Sequence, residues 1–535
     1  MEESWEFLRQ LTREILDGGE VLTPGEKVID FLHPEQLEER LDLNVSKEGS
    51  SREELLEACR TVIRYSLKTC HPMFLSRLYK GVDGYGLGGA WLTEALNTTQ
   101  TTYEVGPAFT LVEKSVIQQL RTEAVGWDKG DGLFCPGGSL ANMFAMALAR
   151  HRACPEVKSR GMRAFQPLVC YASDQGHYST KKGASFMGFG TDNVHIIPTD
   201  DRGRMIPEEL DLAMRQDIEQ VSYLSYFSLV YVTTVYLQLS TTCSEKYNSI
   251  QIFYNSYVVY IKTVAQGKQP LMVCATSGTT VLGAYDPLEP VGRVCRAHGV
   301  WLHVDAAWGG SVLLSRRHRG LMAGLAEYAD SVAWNLHKMA SSPLQCSLLL
   351  CRHETILVVQ GLLFKCNANN AEYLFQEDKY YDTQYDTGDE SIQCGRKVDA
   401  FKLWLGLKAH GMGGMEVLVD KAFETSRYLL KLVQTTEGFR PVLPEFECTN
   451  ICFWYIPPSL RGLPEDDHFW NKMSKVAPEI KRRLVMEGRM LIDYHPITSK
   501  SMVNCFRVPL HCIPVPSAKD MDFLVAEIAR VASDL

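Results

Sequence analysis

Strand-like and helical segments alternate between residues 91 and 405, and this alternation limits what the chain can fold into. The strand-like runs are PLVCYAS, VHIIP, PLMVCAT, VWLHVDAA, DSVAWN and SLLLCR, and LEPVGRVCRAHG is a typical helical stretch. Continuous apolar runs are typical of parallel strands buried on both faces, which need crossover connections that are usually helices. The pattern therefore predicts an α/β fold with a mostly parallel central sheet and helices on both faces.

The sequence divides into three predicted regions around this alternation. Residues 1–90 show helical periodicity and predict a helical N-terminal arm. Residues 91–405 form the predicted large α/β domain. Residues 406–535 include the strand-like NICFWYIP and end in the helical DMDFLVAEIARVASDL, so we expect a small α+β C-terminal domain.

The charge of the chain argues against a nucleic-acid partner. Its 535 residues include 55 basic and 64 acidic side chains, giving a formal charge of -9, without a basic block that could follow a phosphate backbone. The N-terminal stretch is acidic and amphipathic, unlike a signal or transit peptide, so we expect a cytosolic protein. The sixteen cysteines are irregularly spaced, which predicts reduced thiols and no metal site.

Residues 221–266 form a break in composition, rich in Tyr, Ser, Val and Thr. One interpretation is a transmembrane span, which the polar side chains and the absence of basic flanking residues disfavour. A second is a β-rich surface insertion, which would favour aggregation because its uncharged stretches contain no proline. A third is an unspliced intron, since splice-site codons can encode the Val-Ser and Ala-Gln at its edges. Removing the segment would join Gln220 directly to Gly267.

Three polar residues in separate strings suggest a catalytic site. His177 lies in DQGHYS, Asp305 ends the run WLHVD, and Lys338 follows the run in SVAWNLHK. Groups at the carboxyl ends of parallel strands meet at one edge of an open α/β sheet. A pyridoxal phosphate site needs a lysine for the Schiff base, an aspartate at the pyridine nitrogen and a histidine that stacks on the ring. Each residue alone also has an ordinary interpretation, such as a helix cap or a structural histidine.

Two strings rich in small residues are candidates for the remaining cofactor contacts. In FCPGGSLAN, Gly138 and Ser139 precede a helical stretch, whose positive N-terminal end suits a phosphate. A serine that only caps the helix is an equal alternative. Thr280 in ATSGTTV either contacts the cofactor or caps a turn. The GYGLGG at 84–89 follows no strand-like run, which disfavours a dinucleotide site.

Several longer strings occur together in one order: HYS, SGTTVLGAYDPL, WLHVDAAWGGS, DSVAWNLHK, PLQCS, YDTGD and IQCGRKVD. This combination resembles the group II pyridoxal-phosphate-dependent decarboxylases, in particular the branch that acts on glutamate, cysteine sulfinate and aspartate. The resemblance covers nearly the whole chain outside residues 221–266. It implies a fold-type I enzyme, pyridoxal 5'-phosphate as cofactor, and a homodimer with the active site at its interface.

The resemblance also implies roles for individual residues around the cofactor. Lys338 would carry the cofactor covalently, Asp305 would face the pyridine nitrogen, and His177 and Ala307 would lie on opposite faces of the ring. The other cofactor-binding positions that it implies are Gly138, Ser139, Thr280, Asn335 and His337.

Further roles implied by the resemblance concern the substrate. Arg507 in NCFRV matches an arginine that holds a substrate carboxylate, which a guanidinium fork suits well. Tyr381 in DKYYDTQYDTGD matches a tyrosine on a mobile loop that protonates the product carbanion across the dimer interface. Phe74 and Arg77 lie in HPMFLSRL, where the family has HPRFFNQL, and are assigned to the substrate site.

We expect decarboxylation of a small acidic L-amino acid, with cysteine sulfinate giving hypotaurine or aspartate giving β-alanine. Decarboxylation of glutamate to GABA is the alternative substrate assignment. Arg77 replaces a glutamine of the family, and Leu336 replaces the proline of its NPHK string. These two departures leave open a second hypothesis, in which the protein keeps the fold but acts only by binding.

Overall fold

The structure is a computed structural model that describes residues 2–17, 21–22, 25–162, 166–219, 268–352, 361–369, 371–376 and 378–535. The compositional break at residues 221–266 lies outside the described residues, so its three interpretations stay predictions. Among the described helices, none combines the length and the apolar character needed to cross a bilayer. The described residues also contain no cluster of three or more side chains arranged to hold a metal ion.

Twelve strands within the described residues form two sheets. They are β1 (Phe74–Leu75), β2 (Gly130–Cys135), β3 (Leu168–Ser173), β4 (Val194–Ile197), β5 (Gln269–Thr276), β6 (Trp301–Asp305), β7 (Ser331–Asn335), β8 (Ser347–Arg352), β9 (Phe439–Pro441), β10 (Asn450–Tyr455), β11 (Leu491–Ile497) and β12 (Met502–Pro509). The central sheet has seven strands in the order β2-β8-β7-β6-β5-β3-β4. Only β8 runs against its neighbours. This mostly parallel sheet confirms the predicted α/β fold class.

Fifteen α-helices lie in the part of the chain that the structure describes. They are α1 (Glu2–Asp17), α2 (Pro34–Glu38), α3 (Arg52–Tyr65), α4 (Gly84–Leu96), α5 (Pro107–Gln119), α6 (Gly138–Ala153), α7 (Val157–Arg160), α8 (Ser179–Phe186), α9 (207–219), α10 (Leu288–His298), α11 (Leu325–Tyr328), α12 (Leu362–Asn367), α13 (Asp399–Thr435), α14 (Asp467–Met486) and α15 (Ala518–Val531). A break at Gly411, where φ is +67°, divides α13 into two parts. The GYGLGG string opens α4 and follows no strand of the central sheet, as expected.

The central sheet is buried on both faces, which explains its continuous apolar runs. In β5, Val273 and Ala275 join the apolar core on one face, while Met272 and Cys274 join the core on the other. Helix α6 covers the second face with residues such as Phe144. Alternate side chains of a strand point to opposite faces, so a strand between two helical layers needs apolar residues at every position.

A second sheet of five strands, in the order β1-β11-β12-β10-β9, packs beside the first. Its pairs are antiparallel except β1 with β11, which joins Phe74 to Leu491. The string NICFWY forms β10, and all of its residues are buried. The region before residue 90 thus contributes β1 to a sheet built largely from the C-terminal region, while the predicted domain boundaries stay predictions. Strand β12 contains Arg507, which the resemblance assigns to the substrate site.

Candidate active site

A cavity of about 240 Å³ lies where the parallel strands of the central sheet end. Thr276, Asp305 and Asn335 are the last residues of β5, β6 and β7, so their side chains meet at one edge of the sheet. Lys338 follows β7 in a turn in which its backbone N–H donates to the carbonyl of Asn335 at 3.0 Å. The cavity is lined by Gly138, Ser139, Asn142, His177, Tyr178, Thr276, Gly278, Thr280, Asp305, Ala307, Trp308, Asn335 and Lys338.

The cavity brings together most of the cofactor residues expected from the sequence. His177, Asp305 and Lys338, which are far apart in the chain, all line it. The other expected residues that line it are Gly138, Ser139, Thr280, Ala307 and Asn335. Of the expected cofactor set, only His337 is absent from this lining.

Lys338 lies in an electrostatic environment suited to a nucleophilic amine. Burial lowers the pKa of its amine, Asp305 acts in the opposite direction, and the positive charge of Arg507 lowers it further. A lysine must lose its proton before it can attack a carbonyl carbon, so a lowered pKa favours Schiff-base formation.

Asp305 is buried and held by two hydrogen bonds. Its Oδ1 accepts from the backbone N–H of Ala307 at 3.1 Å, and its Oδ2 accepts from Nδ2 of Asn142 at 2.8 Å. These bonds fix the plane of a carboxylate that borders the cavity. The sequence analysis missed Asn142, although its position four residues after Gly138, at the start of the second turn of α6, was a usable signal.

His177 is oriented by Ser179. Its Nδ1 accepts the backbone N–H of Ser179 at 3.3 Å and lies 2.8 Å from the hydroxyl of the same residue. Burial lowers the pKa of His177, which favours a neutral ring with its proton on Nε2. A neutral planar ring at the cavity wall can stack on an aromatic ligand.

The phosphate end of the site is formed by the turn between β2 and α6. Gly137 has φ of +96°, and α6 begins at Gly138. A Cβ on Gly138 would lie 2.6 Å from Nδ2 of Asn335, so only glycine permits this close approach. The first N–H groups of a helix have no partner within the helix, and they point towards an anion placed there.

Several buried polar atoms around the cavity have no protein partner. Within the described residues, Oγ1 of Thr276, Nε1 of Trp308 and Oδ1 of Asn335 make no hydrogen bond. Buried polar groups are normally satisfied, so unpaired atoms lining a cavity indicate a polar ligand. Together with the lysine, the aspartate and the helix N-terminus, these atoms fit pyridoxal phosphate.

His337 and Phe74 lie away from the cavity lining. Nδ1 of His337 accepts the backbone N–H of Cys346 at 3.0 Å, and burial lowers the pKa of its ring to about 4. Leu336, which precedes it, is fully buried. Phe74 lies in β1 and packs in the apolar core of the second sheet. The cofactor role of His337 and the substrate role of Phe74 therefore stay predictions.

Arg507 connects the second sheet to the cavity. Its Nη1 donates to the carbonyl of Thr280, a cavity residue, at 3.0 Å, and its Nη2 donates to the carbonyl of Ser76. The side chain is only 3% exposed, and among the described residues its Nε has no hydrogen-bond partner. A buried guanidinium with a vacant donor beside the cavity is suited to bind an anionic group.

Arg77 lies near Arg507 but is largely exposed. Its Nη1 lies 3.7 Å from Oδ2 of Asp493, and the same oxygen lies 3.9 Å from Nη2 of Arg507. Lys481 binds the other oxygen of Asp493. The side chain of Arg77 is 62% exposed, so solvent screens its charge more than that of Arg507.

Tyr381 is not part of the cavity lining of its own chain. Its hydroxyl donates to Oδ1 of Asp386 at 3.0 Å, and Nζ of Lys379 lies 2.9 Å from the other oxygen of Asp386. Burial raises the pKa of Tyr381, and the bond to Asp386 acts in the same direction. The phenol thus keeps its proton at neutral pH, as a proton donor must.

The fold and the site define a pyridoxal-phosphate-dependent enzyme, and comparison with known proteins gives the family. The pyridoxal-dependent decarboxylase conserved domain matches residues 34–251 and 247–456. The chain belongs to this family of pyridoxal-phosphate-dependent decarboxylases, which confirms the resemblance, the enzyme class and the cofactor expected from the sequence.

Relatives and solved structures agree with this family. Cysteine sulfinic acid decarboxylase of Mus musculus is 45% identical over 512 residues, spanning 96% of this chain and 92% of the relative. Acidic amino acid decarboxylase GADL1 of Mus musculus is 46% identical over 511 residues, spanning 96% of this chain and 82% of the relative. The crystal structure of mouse CSAD superposes with a TM-score of 0.85 at 43% identity and covers 99% of both chains. Oryza sativa TDC with PLP and tryptamine shares the fold at 20% identity, with a TM-score of 0.78, covering 99% of this chain and 98% of the other.

Proposed function

We propose that this enzyme decarboxylates small acidic L-amino acids, converting cysteine sulfinate to hypotaurine, aspartate to β-alanine, or both. The observation that carries the proposal is Arg507, a buried guanidinium with an unpaired Nε beside the cavity. The names of the relatives, which include cysteine sulfinic acid and acidic amino acid decarboxylases, support the same substrate class.

The residues of the chain have distinct tasks in this reaction. Bound pyridoxal phosphate supplies the electron sink that accepts the electron pair released when the α-carboxylate leaves as CO₂. Lys338 would hold the cofactor through its Nζ, Asp305 would face the ring nitrogen, and His177 would cover one ring face. Tyr381 delivers the proton that replaces the lost carboxylate at Cα.

Arg507 and Arg77 select the substrate by charge in this proposal. Arg507 binds the side-chain acid directly, since a guanidinium can form two parallel bonds to a carboxylate or a sulfinate. Arg77 adds a second positive charge on the solvent side, and the carboxylate of Asp493, which lies near both guanidinium groups, offsets their repulsion. The uncharged ring of an aromatic amino acid would leave Nε of Arg507 buried without an acceptor, which is costly.

We propose a homodimer in which Tyr381 serves the site of the second copy. Helix α4 exposes several large apolar side chains in one short stretch: Tyr85, Trp91, Leu92 and Leu96. Exposed apolar clusters of this kind mark interaction surfaces. The position of Tyr381 outside the cavity of its own chain supports delivery of its proton to a neighbouring one.

We propose a cytosolic location. The described cysteines, fifteen in number, are all free thiols, and most are buried. Thiols persist in the reducing cytosol, where disulfides are rare.

Product analysis tests the proposed function. Purified protein with pyridoxal phosphate is incubated separately with cysteine sulfinate, aspartate and glutamate, and the amines are identified by mass. We expect hypotaurine, β-alanine or both. GABA as the only product would assign the enzyme to glutamate, and cofactor binding without any amine would identify a protein that acts only by binding.

A further inference from the structure

A chain of buried polar side chains leads from Asp305 into the central sheet. Nδ2 of Asn142 lies 2.8 Å from Oδ2 of Asp305, and Oδ1 of Asn142 lies 3.0 Å from Nε2 of His303. Nδ1 of His303 lies 2.8 Å from Oγ of Ser331, which in turn lies 2.8 Å from Nε1 of Trp301. All five side chains are buried.

The chemistry of its two ends fixes the direction of every hydrogen bond in this chain. The indole of Trp301 can only donate, so Ser331 accepts from it. In a neutral His303 ring whose proton lies on Nε2, Nδ1 accepts the hydroxyl proton of Ser331. Nε2 of His303 then has the ring proton and donates to Oδ1 of Asn142. The carboxylate of Asp305 can only accept, and it receives the N–H of Asn142.

We propose that Asn142, His303 and Ser331 form a one-directional hydrogen-bond relay that orients the carboxylate of Asp305 and keeps it anionic towards the cofactor. Asn142 contacts Asp305 directly, while His303 and Ser331 act through it as positioning residues. Because all the donors point the same way, each bond polarises the next, and the positive ends face the carboxylate.

The neutral state of His303 is essential to this arrangement. Burial lowers the pKa of His303 to about 4, although Asp305 acts in the opposite direction. A protonated His303 ring, on the side of Asp305 opposite the cavity, would partly neutralise the carboxylate and weaken its pairing with the pyridine nitrogen of the cofactor. The other titratable groups close to Asp305 are Lys338 and His177, both on the cavity side, and the buried thiol of Cys274 on β5.

Asn142 also connects Asp305 with His177. Its second N–H donates to Oγ of Ser179 at 3.0 Å, and that hydroxyl lies 2.8 Å from Nδ1 of His177. One amide thereby sets the positions of two side chains expected to contact the ring, one at its nitrogen and one at its face.

The test compares variants that break the relay with variants that keep it. His303→Leu and Ser331→Ala remove donors, whereas His303→Gln retains a donor towards Asn142. Ser426→Ala is the matched control, because Ser426 is a fully buried serine whose hydroxyl donates to the carbonyl of Ala422 at 2.8 Å. The holoenzymes are prepared with ¹⁵N-labelled pyridoxal phosphate.

The ¹⁵N signal of the ring nitrogen reports its protonation, and a cofactor titration gives the dissociation constant. We expect His303→Leu to move the signal towards the unprotonated position and to weaken cofactor binding roughly tenfold, because the buried Oδ1 of Asn142 loses its donor. Ser331→Ala should shift the signal in the same direction by less, and His303→Gln should restore it.

The control separates positioning from simple loss of stability. Ser426→Ala should lower the melting temperature without moving the ¹⁵N signal or the dissociation constant. If His303→Leu does not fold, Ser331→Ala decides the question alone. An unchanged ¹⁵N signal in Ser331→Ala, together with a melting temperature lowered as in Ser426→Ala, would show that the network only stabilises the fold and would overturn the proposal.

Discussion

At the scale of single residues, the properties of the cavity depend on the buried charged side chains that lie in it and beside it. Lys338 and Arg507 bring positive charge to this region, Asp305 and Asp493 bring negative charge, and the pKa of Lys338 responds to both Asp305 and Arg507. Changes to one residue therefore have effects that depend on whether it contacts cofactor, substrate or solvent.

Lys338→Ala should abolish covalent attachment of the cofactor and nearly all turnover. Without the Nζ, no Schiff base forms, so the visible absorbance that borohydride removes from the wild-type protein should be missing. The matched control is Lys181→Ala, an exposed lysine beyond the described lining of the cavity. Wild-type absorbance and activity in Lys338→Ala would assign the attachment to another lysine.

Arg507→Leu should lower kcat/KM for cysteine sulfinate and aspartate by on the order of a hundredfold or more. Removal of one partner from a buried charge-assisted pair costs about 2–5 kcal/mol. Arg77→Gln should lower it by about fivefold at most, since an exposed ion pair contributes about 0–1 kcal/mol. Steady-state kinetics on these substrates measure both effects, and efficient turnover of tyrosine or dopa by the wild type would contradict the acidic-substrate assignment.

Tyr381→Phe should lower kcat strongly and leave KM nearly unchanged. The substitution keeps the ring but removes the hydroxyl that donates to Asp386 and that, in the proposed mechanism, supplies the proton to Cα. Tyr380→Phe is the control, because Tyr380 is its exposed neighbour in the chain. Equal kcat in the two variants would mean that another group protonates the product.

The residues that the sequence predicted differ in kind from those that it missed. Asp305 and Lys338 follow apolar runs, so the ends of the predicted strands place both of them at one edge of the sheet. Asn142 lies inside an apolar helix, and its one signal in the sequence is its position four residues after Gly138. The pairing of Arg77 with Asp493 joins distant parts of the chain, and no local pattern encodes such a contact.

At the scale of elements, the two flanks of residues 221–266 are held by one histidine. Nδ1 of His195 lies 2.8 Å from Oδ2 of Asp217, in α9, and its Nε2 lies 3.1 Å from Nζ of Lys268, just before β5. Asp217 and Lys268 therefore lie within reach of the same ring. A short connection suffices between them, since an extended chain spans about 3.3–3.6 Å per residue.

Deletion of residues 221–266 should give a more soluble protein that is at least as active. The deletion leaves Ile218, Glu219, Gln220 and Gly267 between Asp217 and Lys268, and the joined DIEQGKQPLMVCATSGTT resembles the family. The two family matches also meet inside this segment. Soluble yield and specific activity of both forms provide the measurement, with sequencing of the transcript for splice signals at both edges. An inactive deletion variant, or a coding sequence without those signals, would identify the segment as a functional element.

The smallest element shows where periodicity fails as a predictor. Strand β1 has only two residues, Phe74 and Leu75, and pairs with β11 near the other end of the chain. Two residues carry no period that distinguishes a strand from a helix. The longer strands β3, β5 and β6 were predictable because burial on both faces requires long apolar runs.

At the scale of the whole molecule, the proposed dimer depends on the apolar face of α4. Leu92→Glu combined with Leu96→Glu should shift the protein towards monomers and reduce activity, because charges would be buried at the interface and Tyr381 would lose its target site. Sedimentation velocity gives the oligomeric state. Leu463→Glu, at an exposed leucine in the C-terminal region, is the control. A dimer that persists in the double variant would place the interface elsewhere.

The pairing of β1 with β11 also has a consequence for how the protein is made. A ribosome adds about 5–20 residues per second, so Leu491 follows Phe74 out of the ribosome roughly 20–80 seconds later. During this interval, the apolar side chains of Phe74 and Leu75 have no strand to pair with. We therefore expect a holdase chaperone to bind the exposed apolar side chains of the nascent N-terminal segment until the last strands of the second sheet emerge.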